Sequence, residues 1–276
     1  MTYTQSLFPR SFRAAAACAL TLLCWTAPAE AQVSFTGTTY TQDFNTLATT
    51  GSANTWTNNS TLAGWSLFRG SVTPTPVTTY RADSGNSSTG AFYSFGSTST
   101  SDRALGSSGS GGLGTAYMAF AATNDTGSTI SSFTLGYSGE QWRDGGAATP
   151  ISQTMVVQYG FGTSFSAVTG WTTAGSGFNF TSPVFANLSA GAAVDGNVAG
   201  KTTGLGGTIS ASWTSGATLW VRFIETNDAG NDHSLAIDDF SLSTAAIPEP
   251  GTYAAIIGGL ALAGAIYRRS RRPSRG

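Results

Sequence analysis

Asn227, Asp228, Asn231 and Asp232 put four oxygen-bearing side chains within six residues. A hard cation such as Ca2+ is held by carboxylate and amide oxygens of this kind. The order does not match an EF-hand loop. The same residues also suit a tight turn, because Asn and Asp tolerate positive φ and bond their own backbone. Two readings stay open: a Ca2+ site, or a turn with a structural aspartate that accepts backbone N–H groups. Asp238 and Asp239 follow in the next apolar run. Asp238 shares strand parity with Ala236, Phe240 and Leu242, so one aspartate faces an apolar side unless a bulge intervenes, and a buried carboxylate needs hydrogen bonds or a cation. From a tip near Gly230, Asp238 lies roughly 26 Å down an extended strand. One cation therefore does not join both clusters.

Glu140 and Arg143 stand three residues apart with Trp142 between them, a spacing that predicts an ion pair or a strand-end hydrogen bond. Catalytic constellations are hard to assemble. His233 is the sole histidine, which excludes a histidine-rich metal site and makes any triad depend on it. Its place beside the turn predicts a surface or hydrogen-bonded role. The two cysteines, Cys18 and Cys24, fall near the N-terminus, and no Gly-x-Ser-x-Gly elbow occurs. Glycosidases need two carboxylates about 5–10 Å apart; Glu140 and Glu225 are the two glutamates of the central region, and nothing in their spacing marks an acid and a nucleophile. Trp56, Trp65, Trp142, Trp171, Trp213 and Trp220 can stack on sugar rings, but sandwich cores also use tryptophan, and most of these are expected to be buried.

The elements that position these groups are strands. Residues 32–245 are rich in Gly, Ser, Thr and Asn, with short alternating apolar runs and no helical period. At 214 residues this region suffices for one sizeable core. It keeps 6 of the 13 basic and 12 of the 14 acidic residues, a balance near −6 that argues against a nucleic-acid partner. Met155, Val157, Tyr159 and Phe161, with Ile151, share one face of a predicted strand. Leu219, Val221 and Phe223 share a face of another, which leaves Trp220 and Arg222 on the outer side as a cation–π pair. The stretch Phe120–Gly127 parallels Phe223–Gly230, both carrying Thr-Asn-Asp, and each reads as a hairpin turn. Residues 107–114, nearly all Ser and Gly, read as a flexible loop. Threonines do not recur in register, which weakens ice binding through regular Thr rows. The expected fold is all-β, a single jelly-roll-like β-sandwich.

Both ends read as targeting segments. Residues 1–31 carry Arg10 and Arg13, an apolar run and a small-residue site at Ala29-Glu30-Ala31, as a signal peptide does. Residues 246–276 contain Pro248-Glu249-Pro250, then an uncharged stretch at 252–267, then Arg268, Arg269, Arg271 and Arg272. That stretch suits a short transmembrane helix, with the arginines holding its end in the cytoplasm. This order resembles the PEP-CTERM sorting signal of Gram-negative bacteria. The resemblance implies transient inner-membrane anchoring, processing by an exosortase-type enzyme, and delivery to the cell surface or extracellular matrix. The central region resembles domains of exported bacterial proteins, through Phe44-Asn45-Thr46-Leu47, Gly64-Trp65, Gly139 to Arg143, and Trp220-Val221-Arg222-Phe223 through to Asp238-Asp239-Phe240. It implies an exported β-sandwich and carries over no catalytic residue. The expected role is structural or adhesive, with extracellular polysaccharide as a partner in its sharper form. A polysaccharide-acting enzyme is the alternative.

Overall fold

A computed structural model describes residues 1–2, 32–98, 100–186, 190–228 and 230–244. Apart from Met1 and Thr2, the predicted signal peptide lies outside the described residues, as do the Pro-Glu-Pro motif, the 252–267 span and the arginine cluster. Among the described residues, no helix is long and apolar enough to cross a membrane.

The chain folds as a β-sandwich of two sheets. In the first, Thr154–Phe161, Thr218–Glu225, Ala116–Asn124 and Trp65–Arg69 lie side by side. In the second, Ile130–Asp144 is central, paired with Lys201–Trp213 on one side and Ser234–Thr244 on the other, followed by Ala104–Ser108, Ala91–Phe95 and Thr79–Asp83. Alternation explains the packing: each strand sends every second side chain inward. Leu219, Val221 and Phe223 meet Met155, Val157, Met118 and Phe120 from their own sheet and Phe133, Leu135, Leu235 and Ile237 from the other. Thr154–Phe161 and Thr218–Glu225 thus face as their alternation predicts, although Ile151 lies before the strand and is exposed.

The inward parity of Ser234–Thr244 changes midway. Leu235 and Ile237 reach the core, and so do Phe240 and Leu242. A register shift against Ile130–Asp144 between Gly136 and Ser138, with Asp239 at φ 51°, absorbs the extra residue. This is the bulge that keeps Asp238 off the apolar side. Asp238 is buried on the outer side of the sheet, while Asp239 is exposed.

Two expectations are corrected. The Thr-Asn-Asp repeats do not close hairpins: Ala116–Asn124 and Thr218–Glu225 belong to the first sheet, whereas Ile130–Asp144 and Ser234–Thr244 belong to the second. Both loops carry the chain from sheet to sheet. Alternation specifies a strand's faces and not its partner, and here each strand finds partners distant in sequence. The first crossing is tied by buried Asn124, whose Nδ2 donates to Ser128 O (2.9 Å) and Trp213 O (2.8 Å). The second correction concerns 107–114. Ser107 and Ser108 end a buried strand, because small residues are needed there: a Cβ on Gly106 would sit 2.4 Å from Leu235 O.

Candidate functional site

The ends of Ala104–Ser108, Ile130–Asp144 and Thr218–Glu225 and the start of Ser234–Thr244 surround a polar cleft of about 560 Å³. Its walls include Arg143, Asn227, Asn231 and Asp232, with Ser88, Ser108 and Ser110. Four of the residues singled out in the sequence therefore come together. Five glycines (Gly109, Gly111, Gly145, Gly191 and Gly230) complete the lining and leave backbone open to a ligand.

Each wall is fixed by specific bonds. Arg143 Nη1 donates to Gly85 O (3.0 Å) and Asn86 O (3.2 Å). Gly85 is required there, since its φ is +88° and a Cβ would lie 1.7 Å from Trp142 O. Asn231 Nδ2 donates to Gly146 O (2.7 Å), and the Asn231 carbonyl accepts from Gln153 Nε2 (3.1 Å). Asp232 Oδ1 accepts the Asp228 N–H at 2.7 Å. This bond matches the turn reading of the acidic loop.

His233 is buried and braces the loop from beneath. Its backbone N–H donates to Gln153 Oε1 (2.6 Å), and its Nε2 stands 3.4 Å from Asp144 Oδ1. Burial pushes the imidazole pKa down against the opposing charge of Asp144. Gln141 Nε2 lies 3.3 Å from Nδ1 and donates to Val184 O (2.6 Å) and Arg143 O (3.2 Å). Asp144 in turn accepts from Gly146 N and Ala186 N, both at 2.9 Å.

Glu140 does not pair with Arg143. Arg143 is turned to the Gly85 and Asn86 carbonyls. Glu140 instead joins Asp238 and Asp239 around Lys201, the sole lysine, at 3.1, 3.8 and 3.6 Å from its Nζ. Trp142 Nε1 donates to the other Glu140 oxygen at 3.1 Å. Burial pushes the Glu140 carboxyl up, and burial with the Glu140 charge pushes Asp238 up to about 7. Burial opposes the Lys201 ammonium, but the bond to Glu140 and the surrounding carboxylates outweigh it and raise its pKa.

Trp220 and Arg222 share the outer face of the first sheet as predicted, but Arg222 does not stack on Trp220. Its guanidinium lies 4.0 Å from the Trp171 ring centre and 5.1 Å from that of Tyr117. Trp220 is buried beside Phe165. Trp56, Trp65, Trp142 and Trp213 are buried too. Of the six tryptophans, Trp171 alone is partly exposed, and Arg222 covers it.

Sequence reasoning passed over Lys201, and it weighed Glu225 only as one half of a glycosidase carboxylate pair. Lys201 carried no local motif. Glu225 did carry a signal, because it continues the inward parity of Leu219, Val221 and Phe223. Its side chain is buried, with Oε2 accepting from Ser107 Oγ and Oε1 unpartnered. Among the described residues, no three His, Cys, Asp or Glu side chains converge closely enough to enclose a metal ion. A second cleft, of about 620 Å³, is lined by Asp83, whose Oδ1 accepts from Ser87 N (3.0 Å), and Arg103, whose Nε donates to Ser94 Oγ (2.8 Å); it holds none of the site residues singled out in the sequence.

No family model matches the chain, and no curated protein matches it in sequence. Among solved structures it is similar to an arabinose-bound α-L-arabinofuranosidase (MgGH51) at 14% identity, with a TM-score of 0.26. The match covers 74% of this chain and 26% of that enzyme, and a score so low carries no argument about activity.

Proposed function

We propose that this is an exported, surface or matrix protein with an adhesive role, and that the 560 Å³ cleft binds a hydroxyl-rich ligand, a glycan. The observation that supports this is the lining of the cleft. Asn227, Asn231, Asp232, Arg143 and three serines offer mixed donors and acceptors around exposed glycine backbone, which suits many hydroxyls better than one apolar group. Tryptophan stacking contributes little to this reading, because five of the six rings are buried and Arg222 covers Trp171.

The test is retention on insoluble polysaccharides and a glycan array. Wild type is expected to be retained without releasing new reducing ends, and Asn227→Ala to lose about tenfold in affinity, as for one or two lost polar contacts. Asn227 is exposed, so its removal leaves the fold intact. Blank arrays and pull-downs would sink the glycan reading, and release of oligosaccharides would point to a polysaccharide-acting enzyme.

The delivery route belongs to the same proposal. It comprises a signal peptide at 1–31, a jelly-roll-like body, a membrane span at 252–267 and sorting through Pro248-Glu249-Pro250 by an exosortase-type enzyme. Its support is the order of the three C-terminal features. Replacing Pro248, Glu249 and Pro250 by alanine is expected to leave the protein full length in the inner membrane while wild type is trimmed and released. Fractionation with mass spectrometry of the C-terminus reads this, and equal anchoring of both proteins refutes sorting.

A further inference from the structure

Among the described residues two sets of carboxylates share a neighbourhood, and the protein treats them differently; in the second, Glu225 is buried while Asp228 and Asp232 are half-buried. Glu140, Asp238 and Asp239 surround the sole lysine. Glu225, Asp228 and Asp232 have no such partner: among the described residues, no Lys or Arg lies within ion-pair distance of any of them. Burying acidic groups without a counter-charge is costly, and proteins meet that cost with protonation or a cation.

Glu225 is the informative member. It is 3% exposed, and its Oε1 has no hydrogen-bond partner. Ser107 Oγ holds the other oxygen. Just past the end of the Ser107 strand, Gly109 leaves space for Asp232, whose Cγ would lie 2.6 Å from any Cβ at that position. The chain thus brings a buried carboxylate and a loop carboxylate to the end of one strand. Burial raises the Glu225 carboxyl most, and the charges of Asp232 and Asp228 raise it further, so the three groups share one field.

We propose that a calcium ion binds between buried Glu225, which lies behind the lining of the cleft, and the cleft wall at Asp232, with Glu225 as its inner ligand and Asp232 and the amide oxygens of Asn227 and Asn231 as its outer ones. The proposal rests on the cleft as the binding site and specifies what organises it. Calcium suits the donor set: it accepts two carboxylates completed by neutral amide, backbone and water oxygens. Zinc does not, because it favours nitrogen and sulfur, and His233 is already engaged by Asp144 and Gln141.

Calorimetric titration of the purified protein with CaCl2, and melting in CaCl2 against a chelator, test the site. Calcium a hundredfold above its Kd is expected to raise the melting temperature by roughly 5–10 °C, reversibly. Glu225→Gln keeps the shape of the side chain and removes its charge. It is expected to melt no lower than wild type in chelator and to bind calcium at least tenfold more weakly, and Asp232→Asn is expected to bind more weakly as well. Absence of heat and of any melting shift in wild type overturns the site, as does a Glu225→Gln variant that responds like wild type. Glycan retention measured in parallel separates the two readings. Glycan retention without a calcium response refutes the metal site alone, and a calcium response without glycan retention refutes the ligand class alone.

Discussion

Trp65→Ala is expected to destabilise the protein by about 3–5 kcal/mol, the range for removing a large aromatic from a packed core. Trp65 is fully buried. Its ring meets Phe120 (5.4 Å between centres) and Phe223 (6.3 Å) from its own sheet and Phe240 (5.1 Å) from the opposite one, with Phe44 at 4.8 Å. Its Nε1 donates to the half-buried Tyr40 Oη at 3.1 Å, so truncation opens a cavity between the sheets and removes that hydrogen bond together. A domain of this size has about 5–15 kcal/mol in total, so the loss is a large fraction of it. Urea unfolding followed by tryptophan fluorescence reads the midpoint. A shift equivalent to less than about 1 kcal/mol would show that Trp65 does not join the sheets as described. Trp65→Phe, which keeps an aromatic there, is expected to retain most of the stability.

The second large effect is pH-dependent and centres on Asp238. Its carboxyl is raised from 3.8 to about 7 in the folded protein, first by burial and then by Glu140. The folded state therefore holds this proton more tightly than the unfolded chain. The resulting stability is fully present below about pH 4 and is lost as pH rises through about 7. About three pKa units at 1.36 kcal/mol each bound the loss at roughly 4 kcal/mol. Asp238→Asn is expected to flatten this dependence and to exceed wild type at pH 8 by about 1–3 kcal/mol, since the amide carries no buried charge. Lys201→Met acts in the opposite direction. It strips Glu140 and Asp238 of their cation and is expected to cost about 3–5 kcal/mol at pH 8, as for a broken buried pair. Much of that cost disappears at pH 5, where Asp238 is protonated. Urea midpoints at pH 5 and pH 8 decide the matter, and an Asp238→Asn profile parallel to wild type would remove Asp238 from the account.

The sequence by itself determined the all-β class, the inward faces of Thr154–Phe161 and Thr218–Glu225, and the burial of most tryptophans. These follow from period-2 alternation and apolar content, which are local properties. It left two outcomes for Asp238 and Asp239, a carboxylate on an apolar face or a bulge, because adjacent residues of a strand point to opposite faces. It drew Arg143, Asn227, Asn231 and Asp232 out as polar groups able to serve a site.

The tertiary structure decided what these groups meet. Strand partners lie far apart along the chain, so the two Thr-Asn-Asp turns could not be told from hairpins by pattern; the partner sheets make them crossings. The partner of Glu140 was illegible for the same reason, since Lys201 arrives on a strand paired 61 residues later. Ser107 looked like part of a flexible loop because composition records small polar residues without recording the close strand approach that needs them. Glu225 shows the boundary most sharply. Its inward direction was written in the alternation of its own strand, but its meeting with Ser107 and its lack of a cation depend on charges and hydroxyls that only the assembled sandwich brings near.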